Sequence, residues 1–311
     1  MKDLVSPLQS SFIPGRGTHD NIFVLQEIIH SLRRSKNKKG GMIIKLDLEK
    51  VYDKTNWDFF EQTLHFFELP PHLLEFIIFC VKCVKPRVLW NGKPFPSISP
   101  SYGLSQGDPL SPYLFVICVG CLSYLIEHSV EEGTWKPISV CRGGPKLSHV
   151  FVADDLIFLA QETRDNAINI DKLMGEFCAC FSLKVNKNKS RIFFSRSTRH
   201  GLSRSIAKIL DFSCTMDLGK YLGVPLVHNG ASPSLYQELI NKAQFQLASW
   251  KSRLLNLEGR STLINSVTMA MPSHVLQSTW LPSSICNKLD QMDRSFLWES
   301  NSNIRKVHPI K

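Results

Sequence analysis

With 311 residues, 43% of them hydrophobic and 21% charged, the chain holds enough apolar material for one large domain or two modest ones, which excludes disorder except at the ends. Its opening stretch, "MKDLVSPLQSSFIPGRG", has no apolar core and is not read as a secretory signal. The formal net charge is +10, and its distribution says more than its total.

In chain order, "THDNIFVLQEIIHSLRRSK" has apolar residues at helical spacing, with Thr18 or Asp20 as its N-cap, and "NKKGG" ends it. The alternation in "GMIIKLDL" predicts a strand over Gly41–Leu48. Asn56 caps a helix with Trp57, Phe60, Leu64 and Phe67 on its core face, and a second helix follows "LPPH" through "LLEFIIFCVKCV". Asn91-Gly92, inside "RVLWNGKPF", predicts a hairpin. A long helix begins after Asp108-Pro109. The uncharged run from Pro109 to Ile126 approaches membrane-spanning length, but its two prolines, Gly120 and serines suit a buried core helix, so no membrane is expected as a partner.

Next, "SHVFVADDLIFLA" reads as two short strands with Asp154 and Asp155 at the bend. An amphipathic helix, "RDNAINIDKLMGEFCACFSL", is followed by the turn "KVNKNKS" and the strand "RIFFS". From Pro233 onward the segments "SLYQELINKAQFQLASWKSRLLNL", "RSTLINSVTMAM" and "NKLDQMDRSFLW" are all helical in pattern. There is no internal repeat and no low-complexity linker. The expected class is α+β over the first 230 residues, with a helical appendage behind.

Charge is unevenly spread. No acid lies between Glu27 and Asp47, where Arg33, Arg34, Lys36, Lys38, Lys39 and Lys45 stand. None lies between Glu176 and Asp211, where Lys184, Lys187, Lys189, Arg191, Arg196, Arg199, Arg204 and Lys208 stand. Such stretches suit a polyanion held along a track, or a pair of solvated basic loops. The nine cysteines are expected as reduced thiols. Cys80/Cys83 and Cys118/Cys121 have zinc-like spacing, but both pairs sit in apolar helical runs where cysteine acts as a small hydrophobe.

Two adjacent aspartates in an apolar run need basic partners, water or a divalent cation. An Asp-Asp at an exposed turn is common; a second apolar strand ending in acid, "IIKLDLEKVYD", brings the metal reading forward. Carboxylates from two adjacent strand ends hold two hard cations about 3.5–4 Å apart, an arrangement that serves phosphoryl transfer. Oxygen ligands favour magnesium or manganese.

Taken together, "KLDLEKVYD", "GLSQGDPLSPYLF", "FVADDL", "LKVNKNKS" and "LGKYLGVPL" resemble, in order and spacing, the motifs of reverse transcriptases, and in particular those of plant LINE-type non-LTR retroelements. "QSSFIPGRGTHDNIFVLQEIIH" and "KAQFQLASWKSRLLNLEGRSTLINSV" extend the resemblance over nearly the whole chain. It implies a right-hand polymerase with a small antiparallel palm sheet packed on helices. Fingers would occupy 1–40 and 54–100, palm 41–53 and 101–229, and a helical thumb-like region 230–311. The implied activity is two-metal, RNA-directed DNA synthesis from an RNA template, a DNA primer and deoxynucleoside triphosphates, with two Mg2+ or Mn2+ ions. Nuclear localisation is expected from the same resemblance.

The resemblance also implies roles for single residues. Asp47 and Asp154 match the two principal metal ligands, Asp155 the third carboxylate, and the carbonyl of Leu48 a further ligand. Tyr52 matches the ring that closes the nucleotide pocket against a ribose 2′-OH. Gln106 and Gly107 match the loop that packs on the incoming nucleotide, and Lys189 the lysine beside the triphosphate, a candidate acid for pyrophosphate. Tyr221, Leu222 and Gly223 match the hairpin that grips the primer.

Departures from the family are also visible. Val51 replaces alanine beside the expected gate and is expected to crowd the pocket, and Ser105 replaces a basic residue. The family's leading fingers segment, which precedes "QSSFIPGR", is missing, so an N-terminally truncated fragment or a degraded element is expected. The rivals are a catalytically inactive nucleic-acid-binding remnant and a template-free palm enzyme such as a nucleotide cyclase. "GLSQGDPLSPYLF" and the basic run after the aspartates speak against the latter.

Overall fold

A computed structural model of the chain describes residues 5–34, 40–141, 143–226, 233–249 and 255–298. The first helix, α1 (Thr18–Arg34), buries Ile22, Leu25, Ile28 and Ile29. Neither expected residue caps it from outside: Thr18 opens the helix, and the Asp20 carboxylate accepts the Gly17 N–H at 3.3 Å from the third position. The strand β1 (Gly41–Leu46) ends two residues earlier than its alternation predicts. A single turn, α2 (Val51–Lys54), follows, then α3 (Trp57–Phe66) with Asn56 as the expected cap, its side chain accepting from Asp58 N at 2.8 Å. The helix α4 (Pro71–Lys82) precedes the hairpin β2 (Leu89–Trp90) and β3 (Lys93–Pro94), which turns at Asn91-Gly92 as expected.

The long helix α5 (Ser111–Glu131) passes the length and hydropathy test for a membrane span, yet Leu114, Phe115, Ile117, Cys118, Val119, Leu122 and Ile126 pack in the main core. Burial and the neighbouring Cys121 push the Cys118 thiol well above its ordinary value, in keeping with a cysteine used as a small hydrophobe. A small hairpin, β4 (Ile138–Ser139) and β5 (Lys146–Leu147), leads into β6 (His149–Val152) and β7 (Asp155–Gln161). The helix α6 (Arg164–Phe181) is capped by Thr163 and ended by Ser182 in the left-handed region at φ 57°. β8 (Arg191–Phe194), α7 (His200–Leu210) and β9 (Ser213–Thr215) close the first unit, which spans residues 1–218.

The sheet runs β6-β7-β1-β8-β9, antiparallel throughout except that β8 and β9 are parallel. Register assigns its two faces. Met42, Ile44 and Leu46, with Leu156, Phe158 and Ile192, face α3, α5, α6 and α7 and form one core with them. Gly41 and Ile43 lie on the other face, where α1 packs so closely that a Cβ on Gly41 would stand 2.8 Å from Leu32 Cδ2. Trp135 is locked into the core by an edge contact to Phe158 at 5.6 Å and by its indole N–H, which donates to the Leu159 carbonyl at 3.1 Å.

The second unit, residues 219–311, begins with the hairpin β10 (Lys220–Tyr221) and β11 (Val224–Pro225). A 3-10 turn at Pro233–Tyr236 leads to α8 (Gln237–Ser249). Then come α9 (Leu257–Leu263), a π-helical turn at Ile264–Thr268, α10 (Ser273–Leu276) and α11 (Ser283–Leu297). The described residues from Pro233 onward are thus helical, as expected, while residues 250–254 of the first predicted helix lie outside the described residues. Tyr236, Ile240 and Ile285 make this unit's core.

Trp135→Ala leaves a cavity against Phe158 and an unused Leu159 carbonyl, so it should cost about 3–5 kcal/mol of stability, read as a lower midpoint in urea unfolding.

Candidate active site

The acid at the end of β1 is held by the loop 184–190. Asn186 N–H donates to the Asp47 carbonyl at 2.8 Å and Glu49 N–H to the Lys184 carbonyl at 2.9 Å, so Leu48 forms a bridge with Val185. That ladder uses the carbonyls of Asp47 and Lys184 and leaves the Leu48 carbonyl outside it. The Asp47 N–H donates to Ser190 Oγ at 3.2 Å, and the same hydroxyl donates to the Asn186 carbonyl at 2.9 Å. The strand ends early because its next residues pair with this loop instead of continuing the sheet.

The two adjacent aspartates have different places. Val152 pairs with Asp155, so the turn consists of Ala153 and Asp154 alone, and Asp155 is the first residue of β7. Ala153 sits at φ 51°, a conformation that costs a non-glycine residue about 1 kcal/mol or more. The exposed Asp154 is therefore at the tip. Extending the β1–β7 register past Leu46↔Leu156 sets Asp47 beside Asp155, on the sheet face that also carries Lys45.

The electrostatics agree with this placement. The Asp155 carboxyl is raised above its ordinary value, first by burial and then by Asp154 and Asp47, while Lys45 pulls it down. Lys189 Nζ stands 3.9 Å from Asp47 Oδ2, both side chains well exposed. The Tyr52 hydroxyl is raised by burial and by Asp154, and its ring leans on Phe115 with centroids 5.3 Å apart. Tyr52 therefore belongs to the same neighbourhood as the hairpin tip. Val51 points elsewhere: it is buried in the main core, so its methyls fill the core instead of crowding the site as expected.

The 103–108 loop is fastened to α2 and the start of α3. Gly103 N–H donates to the Thr55 carbonyl at 2.8 Å, Leu104 N–H to the Tyr52 carbonyl at 2.6 Å, and Trp57 Nε1 to the Gly103 carbonyl at 2.7 Å. A Cβ on Gly103, at φ 90°, would lie 2.9 Å from the Asp53 carbonyl oxygen, so only glycine allows this approach. Gln106 Nε2 donates to Asp53 Oδ1 at 3.0 Å. Gly107 is at φ 86° with nothing within 4 Å of a Cβ, so within the protein it is the backbone conformation that calls for glycine.

Tyr221, Leu222 and Gly223 lie in the second unit. Leu222 at φ 52° and Gly223 at φ 79° form the two-residue turn of β10–β11, Tyr221 is buried, and His274 Nε2 meets the Leu222 carbonyl at 2.8 Å.

Among the described residues, no three His, Cys, Asp or Glu side chains already stand as a metal cluster. The donor set nonetheless suits hard cations, because it offers carboxylates and a strand-end carbonyl, and Asp155, raised by burial and then by Asp154 and Asp47, would be relieved by a cation. Trp57 was read from sequence as a core residue, whereas it is half-buried and its indole fastens the 103–108 loop. Asp53, Asn186 and Ser190 were not singled out from sequence. The Asn-Lys-Asn-Lys-Ser run was the available signal for two of them, since Asn and Ser commonly bond nearby backbone in turns.

Residues 1–226 match the profile of a family described as reverse transcriptase (RNA-dependent DNA polymerase). Over 303 residues the chain is 23% identical to the transposon TX1 uncharacterized 149 kDa protein of Xenopus laevis, covering 96% of this chain and 22% of that one. It is 27% identical over 297 residues to the Pol polyprotein from the type-1 retrotransposable element R2 of Popillia japonica, covering 89% and 45%. A solved telomerase from Candida tropicalis, in complex with a fragment of telomeric RNA, matches with a TM-score of 0.49 and 12% identity, over 92% of this chain and 43% of that one. The chain spans less than half the length of each of these relatives.

At neutral pH the half-buried Asp155 carboxylate works against folding, because the stability its carboxyl lends at low pH is lost as pH rises through its raised value. Asp155→Asn should raise the melting temperature of the metal-free protein by about 2 °C and shrink the gain from added magnesium, both read by thermal unfolding.

Proposed function

The chain belongs to the reverse transcriptase family, and from that premise we propose that it copies RNA into DNA by nucleotidyl transfer at the Asp47–Asp154–Asp155 site. We assign its small sheet backed by helices to the palm of a right-hand polymerase. The observation that carries the reading is the convergence of two strand ends, β1 and the β6–β7 hairpin, which sets Asp47 beside Asp155 with Asp154 at the adjoining turn.

Two divalent cations, magnesium or manganese, would supply charge neutralisation at the attacking 3′-OH and the leaving pyrophosphate when bound. Asp47, Asp154, Asp155 and the Leu48 carbonyl are the residues that would hold them. Two of them have a defined support: Ser190 and Asn186 fix the backbone of Asp47, and the two-residue turn fixes Asp154. Lys189, within reach of Asp47, places a proton donor beside the departing pyrophosphate. Tyr52, braced by Phe115, presents a ring where a ribose 2′-OH would clash, which selects deoxynucleotides. Gln106 is tied to Asp53 by its amide nitrogen, which leaves its carbonyl oxygen to meet the nucleotide. In the second unit, the Tyr221–Leu222–Gly223 turn is assigned to the primer strand. The template is RNA, as in the family's own description.

A second reading has one observation in its favour: the carboxylates do not form a ready-made cluster among the described residues. On that reading the chain binds RNA and primer but no longer joins nucleotides.

Primer extension on poly(rA)/oligo(dT) with dTTP and magnesium or manganese decides between them. We expect metal-dependent extension that falls by about 10²–10³ in Asp154→Asn while duplex affinity stays the same. Duplex binding with no extension in the parent protein would instead establish the inactive remnant.

A further inference from the structure

The loop and helix after β8 carry a charged surface for which the catalytic reading has no use. Arg196 and Arg199 precede α7, and His200, Arg204 and Lys208 follow at four-residue intervals along it. That interval places the last three on one stripe, with about 6 Å of rise between neighbours. Leu202, Ile206, Ile209 and Leu210 take the opposite side and pack into the helical layer.

All five basic side chains are exposed. Among the described residues, Arg196, Arg199, Arg204 and Lys208 make no ion pair. The nearby acids are already committed: Asp211 binds Lys187 at 2.7 Å, and Glu162 accepts from the Ser195 and Thr198 hydroxyls. Arg204 and Lys208, one four-residue step apart, repel as like charges, and Arg199 at the N-cap, with no acid in the first turn, opposes the helix dipole. The isolated protein thus keeps a repulsion that a bound polyanion would remove.

The location narrows the partner. α7 packs on the sheet face that carries Met42, Ile44 and Ile192, opposite the face that Lys45, Asp47 and Asp155 share. A strand held here is therefore not the stretch being copied. The exposed stripe offers no large apolar side chain for insertion into lipid, and a membrane-binding helix face needs one. Evenly spaced single cations suit a sequence-independent run of phosphates. We propose that this back face of the palm binds the backbone of single-stranded RNA outside the site of synthesis, a role that rests on the reading of the chain as one that copies RNA.

The test is the triple variant Arg199→Gln, Arg204→Gln, Lys208→Gln in the full chain. Affinity for unstructured poly(rU) is measured by fluorescence anisotropy over a range of KCl concentrations. Each phosphate contact to a single strand contributes about 0.7 to the slope of log affinity against log salt, so the slope should become shallower by about 2. Extension of a short primer–template duplex should proceed at the parent rate. An unchanged slope overturns the proposal. So does a loss confined to phosphatidylserine vesicles, which would make this face a membrane contact, and so does extension that falls in step with RNA affinity, which would return these residues to the catalytic track. A parent protein that binds RNA but does not extend a primer refutes the proposed activity and leaves the salt-slope result to judge this surface alone.

Discussion

The antiparallel pairing of β1 with β7, from Gly41↔Gln161 to Leu46↔Leu156, sets nearly everything else. Side chains alternate across a strand, so this register sends Met42, Ile44, Phe158 and Ala160 to the helical core and leaves Lys45, Asp47 and Asp155 on the other face. A slip of β1 by one residue would turn Lys45 and Asp47 into the helical core among leucine and phenylalanine and move Met42, Ile44 and Leu46 out of it. The apolar content of β1, which is buried along almost its whole length, makes such a slip prohibitively costly. The same force that folds the sheet therefore positions the acids.

Around that pairing, two loops do the positioning that the sheet does not. Residues 184–190 extend the ladder past the end of β1 and hold Asp47 through main-chain atoms, which leaves its carboxylate available. Residues 103–106 are tied to α2 and α3 through the carbonyls of Tyr52 and Thr55, the indole of Trp57 and the carboxylate of Asp53. Apart from the Gln106–Asp53 side-chain pair, both loops are held by hydrogen bonds that involve backbone, so the arrangement depends largely on chain path. The left-handed conformations of Lys50 and Ala153, on either side of the site, are where the chain absorbs the strain of these turns.

Much of this was legible in the residues. Alternation located β1, the Asn91-Gly92 pair located a hairpin, Asn56 located a helix start, and apolar spacing located α5 and α6. The ordered motifs pointed to the family to which the chain belongs. Other features were not legible. α7 and the parallel strand β9 were not among the elements expected after "RIFFS", because the charges there obscure the helical spacing of Leu202, Ile206 and Leu210. Val51 looked like a threat to the pocket until the turn of α2 directed it into the core.

By itself, the sequence determined which residues carry charge, which runs must be buried, and which motif order the chain shares with reverse transcriptases. Those are local properties, fixed by side-chain chemistry and short-range periodicity. Only the tertiary structure decided that Asp154 stands at a turn while Asp155 begins a strand, that Gln106 is bonded to Asp53, and that the α7 cations lie on the face away from the carboxylates. Each of these depends on strand register and on helix packing across the sheet. Such relations join residues far apart in the chain, and burial of the shared core sets them, beyond the reach of any local pattern.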